Sequence, residues 1–222
     1  MPHILASSII DRAAMALQDS SNVRWPRADL LGYINDGQRE VVIKKPNAYV
    51  MHTCAQLVAG TRQMLPVLDG ALVIDPLLLI DVLRNSTGRA VRIIERELLD
   101  SLNPDWHNAP QTLLVQHYMH NPMDGKAYLV YPPSNGIGCV DIIYSATPPA
   151  AATESESLSL DDIYQGPLLD YVMYRSMSKD AEYASDPSRA ASHYTAFAAA
   201  LQEKATNELG ASPNTRAQSR RK

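Results

Sequence analysis

RWPRADLLGYINDGQREVV, residues 24–42, sets the architecture. Pro26 stands where a helix accepts proline, in its first turn, because that amide has no intrahelical partner. Asp29 follows in the same turn, where a carboxylate complements the helix dipole. Leu30, Leu31, Ile34, Val41 and Val42 recur at three-to-four spacing and make a stripe to bury. Asn35, Asp36, Gln38, Arg39 and Glu40 occupy the other face. Pro46-Asn47 ends the segment, with Lys44 and Lys45 at its carbonyl end. A helix this apolar on one side and this polar on the other belongs in a bundle.

Upstream, Ile4 to Leu17 repeats the helical period through Ile4, Leu5, Ile9, Ala13, Ala16 and Leu17, and Asp19-Ser20-Ser21-Asn22 supplies a loop. Downstream, from about residue 50, the period changes to that of strands. MHTCAQLVA and RQMLPV flank Gly60-Thr61, and LLLIDVLRN and RAVRIIER flank Ser86-Thr87-Gly88, so each pair predicts a hairpin. ERELLDSL is a short helix ending at Asn103-Pro104. TLLVQHYMH and KAYLVYPP flank a turn carrying Asp124-Gly125, and Asn135-Gly136-Ile137-Gly138 turns the chain into CVDIIYSA. ATPPAAATESESLS, 146–159, is a small, polar connection. Two more helices follow: one from Asp161 to Ser185, with Pro167 in its opening turn, and one striped by Ala190, Tyr194, Phe197, Leu201 and Ala205.

The expected fold class is therefore α+β: N- and C-terminal helices forming one helical bundle, with an inserted antiparallel β unit. The expected divisions are helices in 1–49, the β domain in 50–150, helices in 151–210 and a disordered basic tail in 211–222.

Composition narrows the function. The 222 residues are 45% hydrophobic and 20% charged, with a formal net charge of -4. That balance argues against a protein that coats nucleic acid. Cys54 and Cys139 are too few for a disulfide scaffold and fit buried thiols in a reducing cytosol. No signal peptide is legible, and the best apolar run, LVIDPLLLIDVL, is broken by Asp75, Pro76 and Asp81, so no membrane span is expected.

Catalytic and metal motifs do not form. His117 and His120 in HYMH are three apart on a strand and face opposite sides. His52 and Cys54 could share a face, but no second Cys–His pair completes a tetrahedral site. The glycines of NGIG open into a strand, where a phosphate cradle needs a helix N-terminus. Asp161-Asp162 stand at a helix start, where capping accounts for them. The 11 tyrosines against one phenylalanine include Tyr164, Tyr171, Tyr174, Tyr183 and Tyr194 in the C-terminal helices, which fits either packing or an interface. Arg216, Arg220, Arg221 and Lys222 concentrate positive charge in the tail, for docking or for solvent alone.

The ordered series RWPRADLLGYINDGQREVV, GTRQMLP, LLLIDVLRN, RELLDSLNPDWH, YLVYPPSN, IIYSATPP and LLDYVMYRSMSKDAEYA resembles the head-to-tail adaptor proteins of tailed bacteriophages, the short-tailed type above all. The resemblance covers nearly the whole chain; the C-terminal helix pair, the PDWH turn and the YPP strand end carry most of it. It implies a structural virion protein of the neck, assembled in the host cytoplasm. Such proteins form a homo-oligomeric ring, a dodecamer, beneath the portal protein. The ring extends the DNA channel without reading sequence, and seats the tail nozzle and tail fibre proteins. It implies no catalysis and no cofactor. Carried onto this sequence, the tail with Arg216, Arg220, Arg221 and Lys222 is the portal-docking candidate. The loops at Asn85 and Gly88 and at Asp124 and Gly125 are candidates for tail-side contact. Two rivals remain: a cytosolic enzyme or ligand-binding domain using His107, His117, His120 and Asp141 in the β unit, and a stopper or tail-completion protein at another level of the neck.

Overall fold

The computed structural model describes residues 3–69, 72–121, 123–179 and 187–211. In chain order its first elements are β1 (His3–Leu5), α1 (Ala6–Ala16), α2 (Arg27–Lys44), β2 (Val50–Gln56) and β3 (Ala59–Met64). The short β4 (Leu68–Asp69) and β5 (Leu72–Val73) precede β6 (Pro76–Asn85), β7 (Arg92–Ile93) and α3 (Arg96–Leu102). β8 (His117–His120), β9 (Ala127–Asn135), β10 (Cys139–Ala146), β11 (Ser157–Asp161), α4 (Gln165–Lys179) and α5 (Pro187–Ala211) complete the order. The chain is α+β, and it divides into two units: residues up to Ala48 together with those from Pro148 onward, and Tyr49–Thr147.

The first unit is helical around α4, which packs against α1, α2 and α5. α1 buries Ala6, Ile9, Ile10, Ala13 and Ala14. Gln18 closes it in the left-handed region (φ 57) while the Asp19 amide reaches back to the Ala14 carbonyl, a Schellman ending. The Asp19 carboxylate then accepts the backbone N–H groups of Val23, Arg24 and Trp25 at 2.9–3.0 Å. That nest aims the chain into α2, where Trp25 is buried and its indole N–H donates to the Ser176 carbonyl of α4. Leu30, Ile34, Val41 and Val42 form the buried stripe, as their spacing predicts; Leu31 is half-buried. On the polar face, Asn35 clasps the backbone of Ala151 in both directions, Asp36 pairs with Arg175, and Gln38 is itself buried. Much of that face is therefore used inside the unit.

One element of this unit has no local signal. β1 pairs antiparallel with β11, so Ile4 and Leu5 are strand residues and α1 starts at Ala6 instead of Ile4. The connection read as 146–159 is likewise strand by Ser157, and the carbonyls of Glu154 and Glu156 accept the first amides of α1. The helix read from Asp161 begins as a 3-10 turn at Asp162–Tyr164 and becomes α4 at Gln165; the rest of that prediction, 180–185, lies outside the described residues. The buried seam between α4 and α5 is aromatic: Tyr171 and Phe197 have ring centroids 5.2 Å apart, and Tyr174 and Tyr194 are 5.0 Å apart. Lys45, whose side chain is only 3% exposed, pairs with Glu208 of α5.

The second unit holds a three-stranded sheet in the order β2-β10-β6 and a four-stranded sheet in the order β3-β9-β8-β7. The β8–β9 hairpin forms as its Asp-Gly turn predicts, with Tyr118 opposite Val130. A short hairpin also closes at Ser86-Thr87-Gly88, where the Arg89 carbonyl accepts the Asn85 amide and the Leu83 carbonyl accepts the Val91 amide. The predicted turn at Gly60-Thr61 falls inside β3, and the chain instead makes corners at 57–58 and at NGIG. β2 does not pair with β3, nor β9 with β10; β2 runs against β10 in one sheet and β3 against β9 in the other. Residues 50–64 and 127–146 thus form one antiparallel ribbon that bends between the sheets, and the NGIG turn is half of that bend. Gly138 is required there, because a Cβ would lie 2.3 Å from the Leu113 carbonyl oxygen. Buried Gln63 holds the other half, accepting from the Val58 amide at 2.7 Å and donating to the Val58 carbonyl at 2.9 Å. After the turn at Gly88, Ala90 still bridges back to Arg84, but β7 then joins β8 in parallel, and Thr112 makes a second parallel bridge to Ser134.

Along β9, side chains alternate between two cores. Tyr128 and Val130 enter the main one with Leu57, Leu79, Val82, Val140, Ile142 and Tyr144. Leu129 and Tyr131 pack on the opposite face against Met119, Leu99 and Trp106. Trp106 is fully buried there and donates its indole N–H to Asp100 at 2.7 Å.

Candidate functional site

The residues of the enzyme-like rival do not converge. His117 and His120 lie on opposite faces of β8: His117 stacks near Tyr131, while His120 is exposed. His107 stacks on Trp106 at 3.7 Å, with its Nδ1 2.9 Å from the Thr61 hydroxyl. Asp141 belongs to the other sheet, where it pairs with Arg84 at 2.7 Å. One pocket of this unit, about 460 Å³, is lined by Arg62, Arg96, Glu97, Met119, His120 and Tyr128 among others, so it gathers one of the four candidates. Among the described residues no group of three or more His, Cys, Asp and Glu side chains is disposed to hold a metal.

Asp161 precedes the 3-10 turn without a side-chain capping bond, so capping does not explain that pair of carboxylates. The tyrosines act first as packing. Tyr164 and Tyr171 are buried, and desolvation pushes both hydroxyls above their ordinary range. Tyr164 also carries the ammonium groups of Lys45 and Lys204 against its ring, at 5.6 and 4.2 Å. Desolvation lowers Lys204, and the nearby Lys45 charge lowers it further. Tyr183 lies outside the described residues.

The assembly candidates separate. Arg216, Arg220, Arg221 and Lys222 lie outside the described residues; α5 runs to Ala211 and leads directly to them. Asn85 is 1% exposed. Its amide donates to the carbonyls of Arg89 at 3.0 Å and Val115 at 2.8 Å, and its oxygen accepts from the Val115 amide at 2.9 Å. Its side chain pins the turn to the 115 segment, which leaves Ser86, Thr87 and Gly88 as the exposed part. Gly88 turns there with φ +98. Gly125 meets the opposite end of β6: its carbonyl accepts the Leu79 amide. From residue 79 to 85 the strand rises roughly 20 Å, so the two loops occupy opposite ends. The Asp124 end is where the chain enters and leaves the unit, clasped by Asp75, which accepts from both Lys126 and Thr147.

Sequence reading missed the cysteines. Cys54 is exposed and Cys139 half-buried, not sequestered as small hydrophobes. Nor does the sequence place Trp106, whose packing partners are residues of the β unit. The β2–β10 register was the missing signal for the first, and the alternation along β9 for the second.

A helical unit and an inserted β unit in one chain, with polar side chains spent on corners and turns, make an α+β protein of two units. The family model described as the SU10 adaptor protein matches residues 5–220. The chain belongs to that family, and is thereby a head–tail adaptor of the kind found in short-tailed bacteriophages. No curated protein matches it significantly. Among the described residues no helix is long and apolar enough to cross a membrane.

Proposed function

We propose that this adaptor assembles as a dodecameric ring beneath the portal protein, continues the DNA channel, and seats the tail nozzle and fibres. The observation that carries this reading is the family match, which runs through both helical ends and the β insertion alike. The role is structural; no reaction is assigned to it. In a closed ring each copy meets its neighbours through two different faces. A net charge of -4 suits a wall past which DNA slides without adhering. The segment after Ala211, with Arg216, Arg220, Arg221 and Lys222, is the portal-docking element. The exposed turn Ser86–Gly88, with Asn85 as its internal anchor, is the tail-side contact. Asp124 and Gly125, at the other end of β6, would meet a different neighbour. Negative-stain imaging of the protein mixed with its portal tests the assembly. Rings capping the portal are expected with the full chain and absent after deletion of residues 212–222. Unchanged capping by the truncated chain would remove the tail from the docking role, and no ring with either form would end the reading.

A further inference from the structure

The β2–β10 ladder sets Cys54 opposite Asp141 and Gln56 opposite Cys139. These four residues share one face of the sheet. It is the solvent face: His52, Cys54 and Gln56 are exposed, while Ala55 between them is buried. The two cysteines, far apart in sequence, are thus diagonal neighbours on that face. Cys139 is also tied to the turn after β6, its carbonyl accepting the Ser86 amide at 3.0 Å. The neighbouring Cys54 and Ser86 side chains hold the Cys139 thiol below its usual range, while Cys139 in turn pushes Cys54 up to about 12. Of the two thiols, Cys139 is the more acidic. This is the arrangement of an attacking thiolate beside a resolving thiol.

We propose that Cys54 and Cys139 form a thiol–disulfide exchange site on the open face of the β unit, which takes small-molecule disulfides such as oxidised glutathione and closes into a β2–β10 cross-link. The Cys139 thiolate attacks one sulfur of the small disulfide. That S–S bond breaks, a mixed disulfide forms on Cys139, and the departing thiolate takes a proton. Cys139 is then uncharged and no longer holds the proton on Cys54. Cys54 releases that proton to solvent and attacks the Cys139 sulfur, expelling the second small thiolate, which is protonated in turn. Both cysteines are oxidised, and the small disulfide is reduced to two thiols. The pair stays open in a glutathione-buffered cytosol and closes outside it. Closure ties together strands distant in sequence, beside the bend of the ribbon, and raises the melting temperature by roughly 5–10 °C.

The test uses the full chain incubated with oxidised glutathione at mildly alkaline pH, then acid-quenched and alkylated. Intact mass and non-reducing peptide mapping read the outcome. The expected product has lost two hydrogens, links the Cys54 and Cys139 peptides, melts higher and reverts with dithiothreitol. Cys54→Ser should stop at a glutathione adduct on Cys139, and Cys139→Ser should form no cross-link. If either variant loses its fold by circular dichroism, the wild-type peptide map decides alone. Untouched thiols, a persistent glutathione adduct on the wild type, or disulfide-linked dimers would each overturn the proposal.

Discussion

Replacing Asn85 with aspartate changes almost no volume, yet it should cost the β unit about 3 kcal/mol. The carboxamide donates to the carbonyls of Arg89 and Val115 and accepts from the Val115 amide, all at 1% exposure. A carboxylate keeps the acceptor and loses both donor bonds. Arg89 still receives the backbone N–H of residue 85 at 2.8 Å. The Val115 carbonyl loses that donor and faces a buried negative charge. A buried acceptor left unpaired costs about 1–3 kcal/mol, and more against a charge. For a chain of this size the melting temperature should fall by roughly 6–12 °C. The penalty should also depend on pH. Burial and the two facing carbonyls raise the folded-state pKa of the new carboxyl above its unfolded value, so the variant is least compromised at low pH and loses stability as pH rises through that folded pKa. Urea unfolding followed by tryptophan fluorescence in a Trp25→Phe background isolates Trp106, which reports the β unit. A midpoint equal to that of Asn85 at pH 7 would refute the internal-anchor assignment.

Three further outcomes follow from the same structure. Phe197→Ala removes a fully buried ring packed against Tyr171 and Tyr194, and should destabilise the helical unit by about 3–5 kcal/mol in urea melts; Tyr194→Ala, half-buried, should cost less. Asp19→Ala removes the carboxylate that collects three backbone N–H groups ahead of α2. Those hydrogen bonds, the one from Trp25 foremost, hold the Asp19 carboxyl below its ordinary range. Its stabilisation is therefore complete above the unfolded-state pKa and lost as pH falls through the folded one. The variant's deficit in urea midpoint should be plain at pH 7 and vanish in acid; a deficit independent of pH would point to the loop and not the charge. Gly138→Ala should disrupt the bend at the Leu113 carbonyl, read as lost near-ultraviolet dichroism with the helical signal retained.

The helices were legible because their information is local. Pro26, Asp29 and the Leu30–Val42 stripe state both the start and the buried face of α2, and Asp124-Gly125 states a hairpin outright. NGIG states only that the chain changes direction, and Gly60-Thr61 lies within β3, just past the other corner. Whether the flanking strands then pair with each other or part into different sheets is settled by partners far along the chain, so both were read as hairpins. β1 was out of reach for the same reason: its ladder partner is more than 150 residues away. Asn85 shows how a site residue can be misread. Asparagine before Ser-Thr-Gly looks like an exposed turn, and only the 115 segment, 30 residues on, reveals it as an internal fastener. The cysteine pair required the β2–β10 register, which no spacing in the sequence contains.

The bent ribbon has a cost for the isolated protein. β2 and β3 end their respective sheets, so among the described residues each strand is laddered on one side only. From Val50 to Met64 their one charged side chain is Arg62, and no proline interrupts them. Such a border, unguarded by repulsion, recruits further strands from any chain at high concentration. Until it is covered, the protein should keep best dilute, and crowding it during overproduction should lead to insoluble sheet aggregates.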